Sequence, residues 1–569
     1  MAARPDAIRF GSGKVRRFLL RAKEARKIQE QVLLAKISRN ADSDFGRAHG
    51  FGEIGSVADF RRLVPVTNYS TYEPYIERVK QGEIGAMFGP GASLLMFAMT
   101  SGTTSRPKYL PVTREFFQEY VAGWNLWGAA LYDQYPSLFF KQSVGLASDW
   151  RQATTPAGVP VGNISGLVRQ TASWLVRARS VVPPIASKIG HSHAKHYVAL
   201  RLGLAAKHVG MIATANPSTL IEFARLADRE RASLIRDIHD GTLSNHIEVP
   251  GALRQHLRRW TSRRRPARAR VLEEVVSRTG RLTPREAWPS LSVAAVWTGG
   301  SMSIYLPRLE EFYGTPALRD HGLQASEGRM TVPLQDGTSA GVLEFMTHFF
   351  EFIPESEHGQ VNPTVLLAHE LEIGARYFIL LTTSAGLYRY DIQDVVRCVG
   401  YEGEAPVLEF VNKGQFFSNV TGEKLSEFQA VAAVRSAFGE LQVPLDSFTL
   451  APVLGEVLHY VLLLEPGSQA AQAIELARKV DDGLQELNCE YAEKRRSGRV
   501  GPVLVRQVPS GTWAEMRRRK SEARGNFEEY KHPCLIGDVN AAERIARLTA
   551  PDLPRDQGRP VPAIAADSR

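Results

Sequence analysis

"TSGTTSRPK", Thr100–Lys108, sets hydroxyl side chains around one glycine and follows them with a lysine. Such a stretch can close around the oxygens of a polyphosphate, because hydroxyls and backbone N–H groups approach them closely and a lysine adds a mobile positive charge. The apolar run "LLMFAM" (Leu94–Met99) leads into it. Its spacing differs from the common GxxxxGK[ST] phosphate loop, in which the lysine directly follows the second glycine. Alone, it also has the composition of a capped surface turn. The rest of the chain has to decide between the two.

A chain of 569 residues exceeds what one core ordinarily serves, so two domains are expected. With 44% hydrophobic and 23% charged residues it reads as globular. No run approaches the ~20 apolar residues of a membrane span. The Arg-rich N-terminus lacks the apolar centre of a secretory signal, so a cytoplasmic protein with no membrane partner is expected. Three scattered cysteines, Cys398, Cys489 and Cys534, suit neither a disulfide framework nor a closed zinc site. The net charge of +10 is densest in "RQHLRRWTSRRRPARAR" (Arg254–Arg270). Only Trp260 interrupts that run and no nucleic-acid motif surrounds it, which predicts a solvated helix-loop surface and no nucleic-acid partner.

Helical spacing of Ile28, Val32 and Ala35 predicts an N-terminal amphipathic helix over residues 24–40. "LSVAAVW" (Leu291–Trp297) and "RYFILLTT" (Arg376–Thr383) read as buried strands between helical patterns, which argues for α/β layers. After "PVLEFV" (Pro406–Val411) the texture changes. A polar connection leads to a helix from Leu425, the strand "VLHYVLLLE" (Val457–Glu465), a long helix with Ala473, Ala477, Val480, Leu484 and Leu487 on one face, and the strand "PVLVRQV" (Pro502–Val508). The expectation is α/β: a large two-lobed domain over 1–411, a small α+β lid over 412–545, and a disordered tail over 546–569. The histidines of "HSHAKH", His191, His193 and His196, have metal-ligand spacing but no acidic or cysteine companions, and read as part of a core-lining segment.

The opening stretch resembles the [ST]SG[ST]TGxPK signature of adenylate-forming enzymes, with Ser105 where a glycine is usual. Further segments are similar, in order, to the acyl-acid amido synthetases first known from plants as the auxin-responsive Gretchen Hagen family. They are "LVPVTNYSTYEPYIERVKQGE" (Leu63–Glu83), "WTGGSMSIYLPRLEEFYG" (Trp297–Gly314), "QASEG" (Gln324–Gly328), "FFEFIP" (Phe349–Pro354) and "TTSAGLYRYDIQDVVRCVGY" (Thr382–Tyr401). "FVNKGQFFSNVTGEKLSE" (Phe410–Glu427) and "GTWAEMRRRKSEARGNFEEYKHPCLI" (Gly511–Ile536) complete the series.

The resemblance implies an ATP- and Mg²⁺-dependent ligase that adenylates a small carboxylic acid and passes the acyl group to an amine, expected to be an amino acid. An acyl-CoA ligase with the same first step, and a non-catalytic nucleotide-binding relative, remain as alternatives. It implies that Ser101, Gly102, Thr103, Thr104 and Lys108 hold the β and γ phosphates, that Ser326 belongs to the nucleotide motif, and that Glu327 holds Mg²⁺. Asp394 is implied as the ribose ligand, with Asp391 its rival or an ion-pair partner of Arg389. Lys424 is implied to reach the nucleotide, and Lys531 to neutralise charge on the α-phosphate. Lys413 stands where a hinge arginine is common. Leu323 stands where an aromatic residue commonly lies against adenine, so the expectation is either that adenine rests on Phe349 or Phe350 or that the choice of nucleotide is altered.

Overall fold

The computed structural model describes residues 13–100, 108–413, 417–418, 420, 423, 425–455, 457–467, 472–496, 499–522 and 530–548. Ser101, Gly102, Thr103, Thr104 and Lys424 therefore fall outside the described residues, as does the expected tail from residue 549 on, while Ala546, where the tail is expected to begin, closes the helix Ala541–Ala546. The chain forms two compact units. One comprises Met1–Phe417, Ser426–Val431 and Lys520–His532, the other Ser418–Leu425, Ala432–Arg519 and Pro533–Arg569. The division falls inside the helix Glu427–Glu440, which starts two residues later than the Leu425 expected from sequence.

Alternation of helices and short apolar runs gives the large unit a parallel sheet of Gln142–Gly145, Val209–Ala213, Val293–Ala295 and Ala317–Arg319, neighbours in that order. Val293, Ala294 and Ala295 are all but fully buried, as expected of parallel strands covered on both faces. A second sheet runs Lys108–Thr113, Leu94–Thr100, Pro160–Gly162, Ala153–Thr154. Thr100 lies opposite Lys108 in its antiparallel pair, so the opening stretch joins two paired strands. The helix Arg114–Gln134 starts at once from this pair, because buried Thr113 caps it by accepting from Phe116 N at 3.1 Å.

The third sheet is antiparallel and seven-stranded, with Arg376–Thr383 and Leu387–Glu402 near its middle. Phe349 and Phe350, on the strand Phe349–Pro354, are at most 1% exposed, and Phe349 meets Phe60 edge-on at 6.0 Å. Both are core residues, so neither lies against adenine as expected. The N-terminal helix is Ala25–Arg39, but its buried face is Ile28, Leu33 and Ile37, while Ala35 is exposed.

The small unit has its own core. Strands Phe448–Val453, His459–Leu464 and Leu504–Gln507 form its sheet, and Ala451, Leu463, Trp513, Met516 and Ile545 are buried together. In the helix Ala473–Leu487 the apolar face holds over Leu476, Ala477, Val480 and Leu484, and Leu487 at its end is exposed.

The basic run divides into the helices Gly251–Thr261 and Pro266–Thr279. Three of its arginines are structural rather than merely solvated. Arg254 donates to the carbonyls of Leu243 at 2.6 Å, Ser244 at 3.2 Å and Ile247 at 2.6 Å. Arg265 reaches Ala205 O at 3.2 Å, and Arg268 reaches Leu204 O at 2.8 Å and Ala287 O at 2.6 Å. A guanidinium fork suits such clustered carbonyls because its donors are fixed in one plane.

Candidate active site

Parallel sheets present ligand-binding loops at the carboxyl ends of their strands. Here those ends carry Thr214 and Asn216, Trp297 and Thr298, and Asp320 and His321. Backbone bonds Thr214 N to Ala295 O at 3.1 Å and Trp297 N to Ala215 O at 3.0 Å carry the ladder into this region and hold the loops in register. Asn216 works in two directions. Its oxygen accepts from Ser218 N at 2.9 Å, capping the helix Pro217–Arg229, and its amide nitrogen donates to the Tyr530 carbonyl.

That second bond fixes the backbone immediately before Lys531. The exposed Lys531 ammonium lies 4.9 Å from the Trp297 ring centroid and 5.5 Å from that of Phe410, close enough for both rings to attract it. Gly300 makes room for Phe410: its φ is +56°, and a Cβ there would sit 3.0 Å from the Phe410 ring.

A second group forms around two tyrosines. Lys108 Nζ is 5.3 Å from the Tyr69 ring centroid, and the Tyr69 hydroxyl accepts from Tyr109 N at 2.9 Å. Burial pushes the Tyr69 phenol up to about 12. Tyr390 is buried, and burial followed by the nearby Glu327, Tyr69 and Asp391 charges raises its phenol. Lys108 and Glu327, far apart in sequence, thus share the neighbourhood of this tyrosine pair.

Glu327 owes its place to a tight hairpin. Gln324–Ala325 pairs with Gly328–Arg329, Ala325 opposite Gly328, which leaves Ser326 and Glu327 as the turn. Glu327 is nonetheless 7% exposed, an unusual depth for a carboxylate on a turn. Leu323 is half-buried, with its backbone bonded to Thr331 Oγ1 at 2.8 Å and to Met330 N at 2.8 Å. Behind the hairpin, Asp320 accepts from Thr298 N at 2.5 Å, Thr298 Oγ1 at 2.7 Å and Gly322 N at 2.6 Å. Burial raises Asp320 to about 6 and lowers His321 to about 4.

Asp394 lies within the strand Leu387–Glu402, opposite Lys413 and 4% exposed. The residue before it, Gln393, has a φ of +62°, a left-handed kink inside a strand. Asp391 is not paired with Arg389. It meets His358 Nε2 at 2.7 Å and accepts from Gln393 N at 2.8 Å, while Arg389 pairs with Glu351 at 2.9 Å. Asp391 therefore braces the kink that precedes Asp394.

His193 lies 3.8 Å from Glu230 and His196 packs edge-on to Phe223, so these histidines have other neighbours. Local sequence pattern does not single out Asn216, Tyr69 or Trp297 as site residues, although Asn216–Pro217 is a helix-start signal and Tyr69 and Trp297 lie in the family-like stretches Leu63–Glu83 and Trp297–Gly314. No helix among the described residues is long and apolar enough to cross a membrane.

Three family profiles match the chain in succession: the GH3 family N-terminal domain over residues 14–318, its central domain over 341–413 and its C-terminal domain over 428–540. Among curated proteins, a jasmonoyl–L-amino acid synthetase of Nicotiana attenuata is 23% identical over 546 residues, covering 91% of this chain and 92% of that one. An indole-3-acetic acid-amido synthetase of Arabidopsis thaliana is 26% identical over 549 residues, covering 91% of each. Among solved structures, the GH3.15 acyl acid amido synthetase superposes with a TM-score of 0.83 at 22% identity, over 96% of this chain and 97% of that one.

Proposed function

The chain belongs to the GH3 family, and on that premise we propose that it is an ATP-dependent acyl-acid amido synthetase joining a small carboxylic acid to an amino acid. A carboxylate is a poor electrophile because it is anionic and lacks a leaving group. In the first step its oxygen attacks the α-phosphorus of ATP, a P–O bond forms, and pyrophosphate leaves. In the second, the amine lone pair attacks the acyl carbon, AMP departs with the bonding pair, and the amine nitrogen loses a proton. Both steps call for positioning and charge neutralisation rather than a protein nucleophile.

The observation that carries this reading is the setting of Lys531. Its compact ammonium is placed over two aromatic rings at the carboxyl end of the parallel sheet, by a backbone tied to Asn216. From there it would meet the negative charge that builds on the α-phosphate. Lys108 and the hydroxyl-rich stretch before it would take the terminal phosphates, and Lys424 and Ser326 further nucleotide contacts. Asp394 would accept from the ribose hydroxyls, its buried carboxylate held just after the braced kink. Glu327 suits Mg²⁺, since a deep carboxylate on a tight turn is a rigid hard-oxygen ligand. Bound there, the ion would supply charge neutralisation to the phosphates. An adenylating role for the large unit and a lid role for the small one belong to the same proposal, with the expected boundary at 411/412 amended because Ser426–Val431 and Lys520–His532 group with the large unit.

The test is pyrophosphate release with ATP across a panel of carboxylic acids, followed by offering amino acids or CoA and weighing the products. We expect at least one acid to release pyrophosphate and an amide mass to appear. Lys531→Ala should cut release by roughly 100-fold or more while the melting temperature stays put, because the side chain is exposed. ATP binding without release for any acid, or a thioester product alone, would defeat the reading.

A further inference from the structure

Arg329 is 1% exposed, and its guanidinium pairs with no carboxylate among the described residues. One Nη donates to His321 O at 2.6 Å, the other to Gln324 Oε1 at 3.0 Å, and the face lies 4.6 Å from Trp124. The buried Nε finds no acceptor. Burying a cation that forms no ion pair is costly, and for Arg329 the desolvation loss outweighs what the charges of Glu344 and Asp320 return. The two acids whose charges act on it hydrogen-bond elsewhere. Asp320 is filled by Thr298 and Gly322, and Glu344 accepts from Thr347. Burial also raises both acids toward neutrality.

The fold nevertheless makes room for this side chain. A Cβ on Gly123 of the helix Arg114–Gln134 would lie 2.3 Å from Arg329 Cδ, so only glycine lets the arginine pass. Other polar atoms in the same neighbourhood are also unanswered. His321 Nε2 is spent on Thr214 O at 3.0 Å, leaving Nδ1 buried without a partner, and Thr214 Oγ1 is likewise unpartnered. Trp124 and Trp127 flank His321 at 5.4 and 5.6 Å. Arg329 Nε and the Thr214 hydroxyl are buried donors without acceptors and suit a ligand that brings acceptors of its own, whereas His321 Nδ1, left bare because Nε2–H donates to the Thr214 carbonyl, is itself an acceptor.

On the amido synthetase reading above, we propose that Arg329 binds a carboxylate of the acid substrate, with the ring system of Trp124 and Trp127 packing the acid's body. A carboxylate matches a guanidinium fork with two parallel hydrogen bonds, and the Gln324 amide oxygen now occupies one of the acceptor places it would fill. The carboxylate is either the reacting one or a second one on the same molecule.

The experiment is calorimetric binding of paired mono- and dicarboxylic acids to the full chain and to Arg329→Met and Arg329→Lys, with ATP affinity measured beside it. Arg329→Met should weaken acid binding by about 30-fold or more, with ATP affinity unchanged. Arg329→Lys, which keeps the charge without the fork, should recover part of the loss. Weakening across the whole panel identifies the reacting carboxylate, and weakening confined to dicarboxylates identifies a second one. Unchanged acid affinity in the lysine and methionine variants would overturn the assignment, as would parallel losses for acid and ATP, which mean a loosened hairpin. Pyrophosphate release reports separately on the catalytic reading. Arg329-dependent acid binding without release would sink that reading and leave acid recognition standing.

Discussion

At the scale of single residues, Asn216 joins fold and chemistry most directly. Asn216→Ala should cost about 1 kcal/mol of stability through the lost cap. It should also slow pyrophosphate release out of proportion to that loss, because the Tyr530 carbonyl before Lys531 is set free; denaturation and initial rates measured on one preparation separate the two. Asp320 predicts a pH effect of definite sign. Its folded value of about 6 exceeds the ordinary 3.8, so between these pH values the native state holds a proton that the unfolded chain has released. Stability should therefore fall as pH rises through this window, by about 3 kcal/mol at most. Asp320→Asn should flatten that part of the melting-temperature profile, and an unchanged slope would place its origin elsewhere. Neither role could be read from local pattern: Asn216–Pro217 announces a helix start, but nothing near it points to residue 530. Likewise, of the two readings open for Asp391, rival ribose ligand or ion-pair partner of Arg389, neither points to His358, which the fold brings to it from a remote segment.

At the scale of elements, a buried ion pair ties the N-terminal helix to the body. Lys36 Nζ on Ala25–Arg39 meets Glu119 Oε1 of Arg114–Gln134 at 2.7 Å and Ser384 Oγ at 2.7 Å. Burial alone would raise Glu119, but Lys36 and then His348 outweigh it and hold the carboxyl down at about 2. Lys36→Met should destabilise the chain by roughly 3–5 kcal/mol, since it strands a carboxylate in the interior. The double variant Lys36→Met/Glu119→Leu should recover most of that in chemical denaturation; failure to do so would mean that Ser384 or packing, not the charge pair, dominates. Elements with strong periodicity were legible beforehand, as Arg376–Thr383 and Ala473–Leu487 show, because burial on known faces dictates their composition. The N-terminal helix was legible in extent and misjudged in facing. A buried lysine breaks the apolar stripe from which facing is read, and its partner is remote in the chain.

At the scale of the whole molecule, each unit has its own apolar core. Calorimetric unfolding should accordingly show two transitions, and saturating ATP should raise the one that reports the large unit, where Lys108, Glu327, Asp394 and Lys531 all lie. A single transition with equal calorimetric and van't Hoff enthalpies would contradict this. The ordering of motifs along the chain made the large unit's catalytic reading accessible from sequence. The allegiance of residues 520–532 was not, because they sit between two segments of the small unit and only contacts reveal where they belong.

That interleaving restricts how such proteins can be recombined. Because the backbone leaves the small unit, delivers Lys531 to the large one and then returns, no single crossover point exchanges one unit cleanly for another. A graft of the small unit from a relative brings a foreign lysine strap with it unless two extra junctions are cut. Asn216 and Trp297 of the host must then fit a strap selected against someone else's sheet.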